Sequence, residues 1–598
     1  MLLQSICAAL VVLLAGAPHA YGQIPLTPKY DNVVDSKAYP GVKISYKAPG
    51  ICETTPGVKS FSGYVSMPAG SLEDYPINLF FWFFESRKDP ANAPLALWLN
   101  GGPGTSSMKG LFHGTGPCSV NADSSTTTLN PHSWNNEANV LYVDQPVQTG
   151  FSYDVLVNVT SRIMGKPSIA VSASQNAFQT ANTTGNAAKV TWRFLQVFLG
   201  DFPDFKSKTN ALSIWSTDYG GRWAPSFAAN FLRQSEKKVA NEIPIHIESI
   251  GIVNGFVDMA VQQPKLPLFA FNNTYGIQAI DAGVYQGVAR KWATEDGCGT
   301  NIAACRKEGA KCDADNMGVR GTCNAYNMCA HSSTVCATVA GGYTLLSKQD
   351  TTDVTQKKPS AFPSPYYIGY LNSQAVQQAL GVPRNFTENN FQVSVALTGY
   401  DELMGGHLEN IGYLLDRGVN VAMAYGDRDY SNNWLGGEAI SLAVKYKDSA
   451  SFSSAGYQDL KVNASFVAGM VRQVGRLSFS RIFDAGQEAY AYQPEALLKI
   501  FQRTLASKDI ATGSLAVVDG TYKSTGPISI FSRKNKIPAC PPKSICHLFV
   551  PSSCGWNQIE AVEQGFAVTK DFVFTGFTKD APKELDPEYL RPKVPAGC

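Results

Sequence analysis

Short apolar runs bounded by Gly, Pro and Asn recur along this chain with helical patterns between them, and that alternation constrains the fold more than any other feature. Strands are read at Asn78–Phe84, Leu95–Leu99, Val140–Val143, Leu212–Trp215, Ile250–Val253 and Val419–Tyr425, and helices at Asn186–Phe198 and Trp223–Gln234. Strand and helix alternating over hundreds of residues place the chain in the α/β class, with a mostly parallel central sheet covered on both faces.

Two regions break the pattern. Between Cys298 and Cys336 lie six Cys (298, 305, 312, 323, 329 and 336) in a stretch rich in Gly, Asn, Ala and Asp, too polar to build a core alone. It reads as a disulfide-stapled insertion. A zinc site is disfavoured, because the only His among these Cys is His331. After Ile537 come Cys540, Cys546, Cys554 and Cys598, which read as a second stapled segment. The predicted organisation is a leader over 1–22, an α/β domain over 23–536 containing the 298–336 insertion, and an extension over 537–598.

The leader is read from an apolar run, Leu2 to Gly16, followed by Ala20-Tyr21-Gly22 before Gln23, small residues three and one before a junction. The run is shorter than the roughly 20 apolar residues that a membrane span needs, and no later segment reaches that length. Of 13 Cys, Cys7 lies in the leader, so 12 remain, an even number that fits an oxidising compartment. Five N-x-[ST] triplets, at Asn158, Asn182, Asn272, Asn385 and Asn463, are candidate glycosylation sites. The chain is thus expected to be secreted and free of the membrane once the leader is removed. Its 50 basic residues against 48 acidic ones, with 44% hydrophobic content, exclude an electrostatic nucleic-acid binder and a disordered chain.

Several segments carry chemistry. Trp98-Leu-Asn-Gly-Gly-Pro-Gly-Thr105 follows a strand and lets backbone N–H groups approach a ligand. Asn139 to Pro146 ends another strand at Asp144. Ile214-Trp-Ser-Thr-Asp-Tyr-Gly-Gly221 has the shape of a nucleophile elbow but reads S-x-D-x-G instead of G-x-S-x-G. Tyr425-Gly-Asp-Arg-Asp-Tyr430 and Asp484-Ala-Gly-Gln487 follow. Strand ends in this order match the sheet edge where α/β enzymes gather nucleophile, acid and base.

These segments resemble the serine carboxypeptidases, α/β-hydrolases that remove C-terminal residues from peptides, over about Tyr64 to Leu498. Phe80 to Asn92 and Leu129 to Tyr153 are similar to fungal members in particular. The resemblance implies an α/β-hydrolase fold, a triad whose acid is Asp429, an oxyanion hole from the N–H groups of Gly102 and Tyr219, and a subsite for the substrate's terminal carboxylate framed by Trp98 and Asn100. It also exposes departures. The nucleophile position holds Asp218 instead of Ser, the base position holds Gln487 instead of His, and Tyr490 replaces a Pro three residues on. Two Glu that hold the terminal carboxylate in the family fall on Gly114 and Thr217, and positions that are Cys in many relatives hold Thr105 and Asn432.

An amide has no accessible pKa near neutrality, so Gln487 cannot shuttle a proton, and an acyl-Asp218 would have no base to activate water. The leading expectation is therefore a secreted, catalytically degenerate member of the family that binds a peptide or a C-terminal carboxylate. The alternatives are a hydrolase or acyl-group tailoring enzyme built on Asp218, or residual serine-type carboxypeptidase action through a rearranged base. Of seven His (19, 113, 132, 246, 331, 407 and 547), His113 lies next to the Gly114 position but reads first as a satisfied structural imidazole. Ser106 and Ser107 read as turn and cap residues. Arg222 is expected to neutralise Asp218 by an i, i+4 pair. No motif implies a metal or organic cofactor, and none implies an oligomeric state.

Overall fold

The computed structural model describes residues 25 and 27–585, apart from 164–165, 210, 314–316, 319–323, 326, 333–334, 337–348, 359, 519 and 541. The predicted leader, Cys323 and Cys598 lie outside the described residues.

The central sheet has twelve strands: β1 (Asn32–Asp35), β2 (Lys43–Lys47), β3 (Ser60–Met67), β4 (Ile77–Phe84), β5 (Leu95–Leu99), β6 (Asn139–Val143), β7 (Ala211–Asp218), β8 (His246–Gly255), β9 (Asn420–Gly426), β10 (Gln458–Lys461), β11 (Val467–Val474) and β12 (Leu477–Ile482). Their order is β1-β2-β3-β4-β6-β5-β7-β8-β9-β12-β11-β10. The central six, β6-β5-β7-β8-β9-β12, run parallel. The strands on either flank are antiparallel, a feature that alternation alone does not predict.

Side-chain alternation along each strand sorts the core into two layers. From β4, Phe81 and Phe83 face one layer and Phe80, Trp82 and Phe84 the other; from β5, Leu95, Leu97 and Leu99 face the first layer and Ala96 and Trp98 the second. With every residue of β5 buried, two covering layers are obligatory. Helix α1 (Thr184–Asp201), capped by Thr183 accepting from the Asn186 N–H at 3.2 Å, lays Phe194 and Phe198 against Phe81. Helix α2 (Gly220–Glu236) buries Trp223, Phe227 and Phe231 at i, i+4 spacing on the same side. Full burial of one such ring is worth roughly 1.5–3 kcal/mol, so these stripes decide where the helices dock. On the other side, α5 (Pro494–Leu505) stacks Phe501 on Trp134, and Trp134 meets Trp98 and Trp215 edge-on. The remaining labelled helices are α3 (Cys298–Cys312) in the insertion and α4 (Trp434–Ala443) after β9.

The Cys-rich insertion borrows its core. Disulfides Cys298–Cys336 and Cys305–Cys329 pack with Ile302 against Tyr400, Leu403 and Met404, and Arg306 donates to the Leu403 carbonyl at 2.8 Å and pairs with Asp258 at 3.1 Å. In the C-terminal segment Cys546–Cys554 closes a short loop, and His547 is buried close to Phe549 and Phe572. Cys52–Cys118 is the fourth disulfide among the described residues. No described helix is long and apolar enough to cross a membrane.

Candidate functional site

The parallel strands deliver four chain segments to one edge of the sheet. β7 ends at Asp218, which turns the chain with φ 56° before α2 begins at Gly220. The Gly-rich loop after β5 lies against this elbow. A Cβ on Gly101 would stand 2.1 Å from the Tyr219 nitrogen and 2.6 Å from the Thr217 carbonyl, so only glycine permits that approach. Asp144 anchors the far side of the loop, accepting from Ser106 Oγ at 2.6 Å and from the N–H groups of Ser107 and Phe151 at 2.8 Å each. Burial pushes the Asp144 carboxyl up to about 6, and the three donors restrain it there. Asp144 is thus a tie; Ser106 and Ser107 are buried, and Ser107, at the start of a short helical turn, donates to the Val143 carbonyl at 2.6 Å instead of capping that turn as expected.

Asp218 is saturated with donors. Its Oδ2 accepts from the Gly102 N–H at 2.7 Å; its Oδ1 accepts from Asn432 Nδ2 at 2.8 Å and Gln487 Nε2 at 3.3 Å. The Tyr219 N–H is also a donor to this carboxylate. Burial raises the Asp218 pKa, while the Gly102, Tyr219 and Asn432 donors and the Lys109 ammonium pull it back down. Both N–H groups expected to form an oxyanion hole therefore address the Asp218 side chain itself.

Asp429 lies just after β9, fully buried, with Oδ2 accepting from Asn254 Nδ2 at 3.0 Å, the backbone N–H groups of Ser431 and Asn432 also directed at its carboxylate, and Oδ1 making no close hydrogen bond. Burial pushes its pKa well above the usual carboxylate range. Gln487 is held by its own N–H to the Thr352 carbonyl at 2.9 Å, and among the described residues no hydrogen bond joins it to Asp429. Among the described residues, hydrogen bonds therefore do not run from Asp429 through Gln487 to Asp218.

The expected Arg222–Asp218 pair does not form. Asp218 belongs to the turn before α2, so helical i, i+4 spacing does not apply to it. Arg222 is instead fully buried, donating to the Asp401 carbonyl at 2.6 Å, to the Glu402 carbonyl and to His407 Nε2 at 3.0 Å. Ser226 holds the other nitrogen of His407 at 2.9 Å, and burial drives the His407 pKa well below its ordinary value.

Trp98 donates to Asn100 Oδ1 at 2.8 Å, and the same oxygen accepts from the Gly110 N–H at 3.2 Å. Tyr490 occupies the space beside them. Its ring meets Trp98 edge-on at 5.1 Å, and its hydroxyl interacts with Thr217 and donates to Glu488 at 3.5 Å. Its carbonyl would stand 2.6 Å from a Cβ on Gly114, where φ is 134°. Neither Gly114 nor Thr217 offers a carboxylate here.

A charged cluster that motif reading missed borders the site. Glu488 binds Lys109 at 3.2 Å and His113 Nδ1, while His113 Nε2 faces the Ser364 carbonyl at 3.2 Å. Lys109 also lies 3.7 Å from Glu388, which accepts from the Tyr367 hydroxyl. Burial alone would raise Glu488, but His113 and Lys109 outweigh it and hold the carboxyl at about 2. Burial alone would lower Lys109, but Glu488 and Glu388 outweigh it and raise the ammonium. Both nitrogens of His113 are engaged, and among the described residues no hydrogen bond joins it to Asp218. The adjacency of Glu488 to Gln487 was a usable signal; the pairing across 375 residues was not. Asn432, which sequence reasoning left without a role, is a ligand of Asp218. Thr105 donates to Asn389 at 2.6 Å.

Of the five sequon residues, Asn158, Asn272 and Asn463 are exposed. Asn182 and Asn385 are half-buried with hydrogen-bonded side chains, Asn182 to the Gly318 carbonyl at 3.2 Å and Asn385 to the Val171 N–H at 2.9 Å.

A strand–turn–helix elbow at the edge of a parallel sheet, with a Gly-rich loop against it, defines a protein of the α/β-hydrolase class. The family model described as "Serine carboxypeptidase" matches residues 49–507. Carboxypeptidase S1 homolog B of Arthroderma otae is 44% identical over 95% of this chain and 92% of its own length. Carboxypeptidase Y homolog of Arthroderma benhamiae is 39% identical over 93% of each. The chain belongs to the serine carboxypeptidase family. Among solved structures, the prohormone-processing carboxypeptidase Kex1(Δ)p of Saccharomyces cerevisiae shares the fold, with TM-score 0.54 and 19% identity over 74% of this chain and 91% of its own.

Proposed function

We propose that this protein is a secreted member of the serine carboxypeptidase family that keeps the scaffold and has lost peptide turnover by the serine route. One observation carries the reading: Gln487 stands at the base position, donates to Asp218 and makes no hydrogen bond to Asp429, whose Oδ1 makes no close hydrogen bond. Among the described residues, no imidazole is then hydrogen-bonded to Asp218 or Asp429 to take a proton from a nucleophile or from water. Removing the nucleophile or the base from such a triad costs on the order of 10⁶ in turnover, and here both are replaced. The packing of Tyr490 on Trp98 and beside Thr217 argues against a terminal carboxylate bound in the family manner. Disulfides and sequons support passage through the secretory pathway.

Purified wild-type protein is expected to resist a fluorophosphonate probe and to release no amino acid from N-blocked dipeptides. Turnover or labelling that Asp218→Ala abolishes would overturn the reading and favour chemistry at Asp218. Export is tested by the mass of the secreted chain, with glycans expected on the exposed Asn158, Asn272 and Asn463. A mass unchanged by enzymatic deglycosylation would refute that part.

A further inference from the structure

The donors around Asp218 come from four separate segments: Gly102 after β5, Tyr219 at the elbow, Asn432 after β9 and Gln487 after β12. All are N–H donors. Two are backbone groups held by the close approach of Gly101 to Tyr219, so their direction does not depend on the side chain they meet. The other two amides converge on the same oxygen, Oδ1, while Gly102 takes Oδ2. A planar group with two acceptor oxygens fits this set; a protonated acid would turn an O–H against an N–H. Lys109 adds a favourable field. Asp218, Asn432 and Gln487 thus read as one unit, an anion and the donors that receive it.

We infer that these donors form a carboxylate-binding cradle with the Asp218 side chain as its tethered occupant, so that the cradle accepts a free carboxylate anion when that side chain is removed. The inference rests on the reading that Asp218 performs no chemistry, and it assigns the residue a different role. A ligand in the wild-type cleft must bind outside the cradle, because an internal group at very high effective concentration already fills it.

The test is rescue by an anion. Asp218→Gly removes the occupant, and glycine suits the φ of 56° there. Wild type, D218G and D218G/N432A are titrated with sodium acetate and sodium formate against sodium chloride at matched ionic strength, by thermal shift and calorimetry. D218G is expected to show a saturable, carboxylate-specific rise in Tm of several degrees. Wild type is expected to show none, and the double variant to bind about tenfold more weakly, the effect of about 1.4 kcal/mol for one lost charge-assisted hydrogen bond. A folded D218G with no carboxylate-specific shift, or a wild type that shifts equally, overturns the inference. Should D218G not fold, carbodiimide coupling of wild type to an amine, mapped by peptide mass spectrometry, decides. Asp218 is expected to stay unmodified while Glu236, with a 57% exposed side chain, reacts; equal modification overturns it. A fluorophosphonate adduct at Asp218 would instead sink the silent-site reading.

Discussion

Asp218→Ser combined with Gln487→His is expected to produce an esterase, with each single change inert. Replacing Asp218 by Ser frees the Gly102 N–H, and with it the Tyr219 N–H, from the carboxylate they now hold. An imidazole at 487 would find Asp429 Oδ1, which now makes no close hydrogen bond, as the acceptor for its Nδ1–H. D218S alone would have no base, and Q487H alone would place an imidazole between two carboxylates with no hydroxyl to activate. Triad members act as a unit, so the double variant should exceed either single by roughly 10³-fold or more in kcat/KM on a p-nitrophenyl ester and should bind the fluorophosphonate probe. N-blocked dipeptides should gain far less. Gly114 has φ 134° with Tyr490 O 2.6 Å from its would-be Cβ, so a Glu cannot simply be returned there. Equal activity of a single variant and the double, or a folded double variant with no ester hydrolysis, would refute the account of what the site lacks.

The uneven legibility of the chain has physical causes. β5 was readable to the residue because five apolar residues between a Pro and a Gly-rich loop leave few alternatives. β8 runs from His246 to Gly255, beyond the predicted Ile250–Val253, because polar residues such as His246 and Ser249 are carried into the ladder by neighbouring strands, with Glu248 left unpaired at a register shift. At the site, the losses at 218 and 487 were visible as single letters against the family pattern. Their consequences were not. Where Asp218 points depends on donors from segments more than 200 residues away, and its helical pairing with Arg222 failed because a residue in the turn obeys no helical spacing. Gly114 and Thr217 read as two independent losses. In space both border Tyr490, a third change: its carbonyl lies at Gly114 and its hydroxyl at Thr217.

The second large effect concerns stability and turns on an asymmetry between two buried charges. Asp427 and Arg481 are both fully buried and paired at 3.1 Å; Arg481 also donates to the Ile530 carbonyl at 2.9 Å and the Arg533 carbonyl at 3.2 Å. The pair thereby pins the 530–535 segment to the end of β12. Asp427→Asn leaves a guanidinium that cannot shed its charge, so a loss of about 3–5 kcal/mol is expected at pH 5, shrinking toward pH 8 as the wild type loses the contribution of its raised Asp427 carboxyl. Arg481→Met leaves a carboxylate that can neutralise itself. Burial already pushes the Asp427 carboxyl up to about 6 despite the Arg481 charge. Without that charge it should titrate higher still. A carboxyl raised in the folded state binds its proton more tightly there than in the unfolded chain, so its contribution to stability falls as pH rises from the unfolded value of about 4 through the folded one. The penalty of R481M should therefore be small at pH 5 and grow toward pH 8, opposite in direction to that of D427N. Urea midpoints of wild type and both variants at the two pH values measure this. A D427N penalty under about 1 kcal/mol at pH 5, or an R481M penalty that does not grow with pH, would show that the pair carries no uncompensated charge when broken.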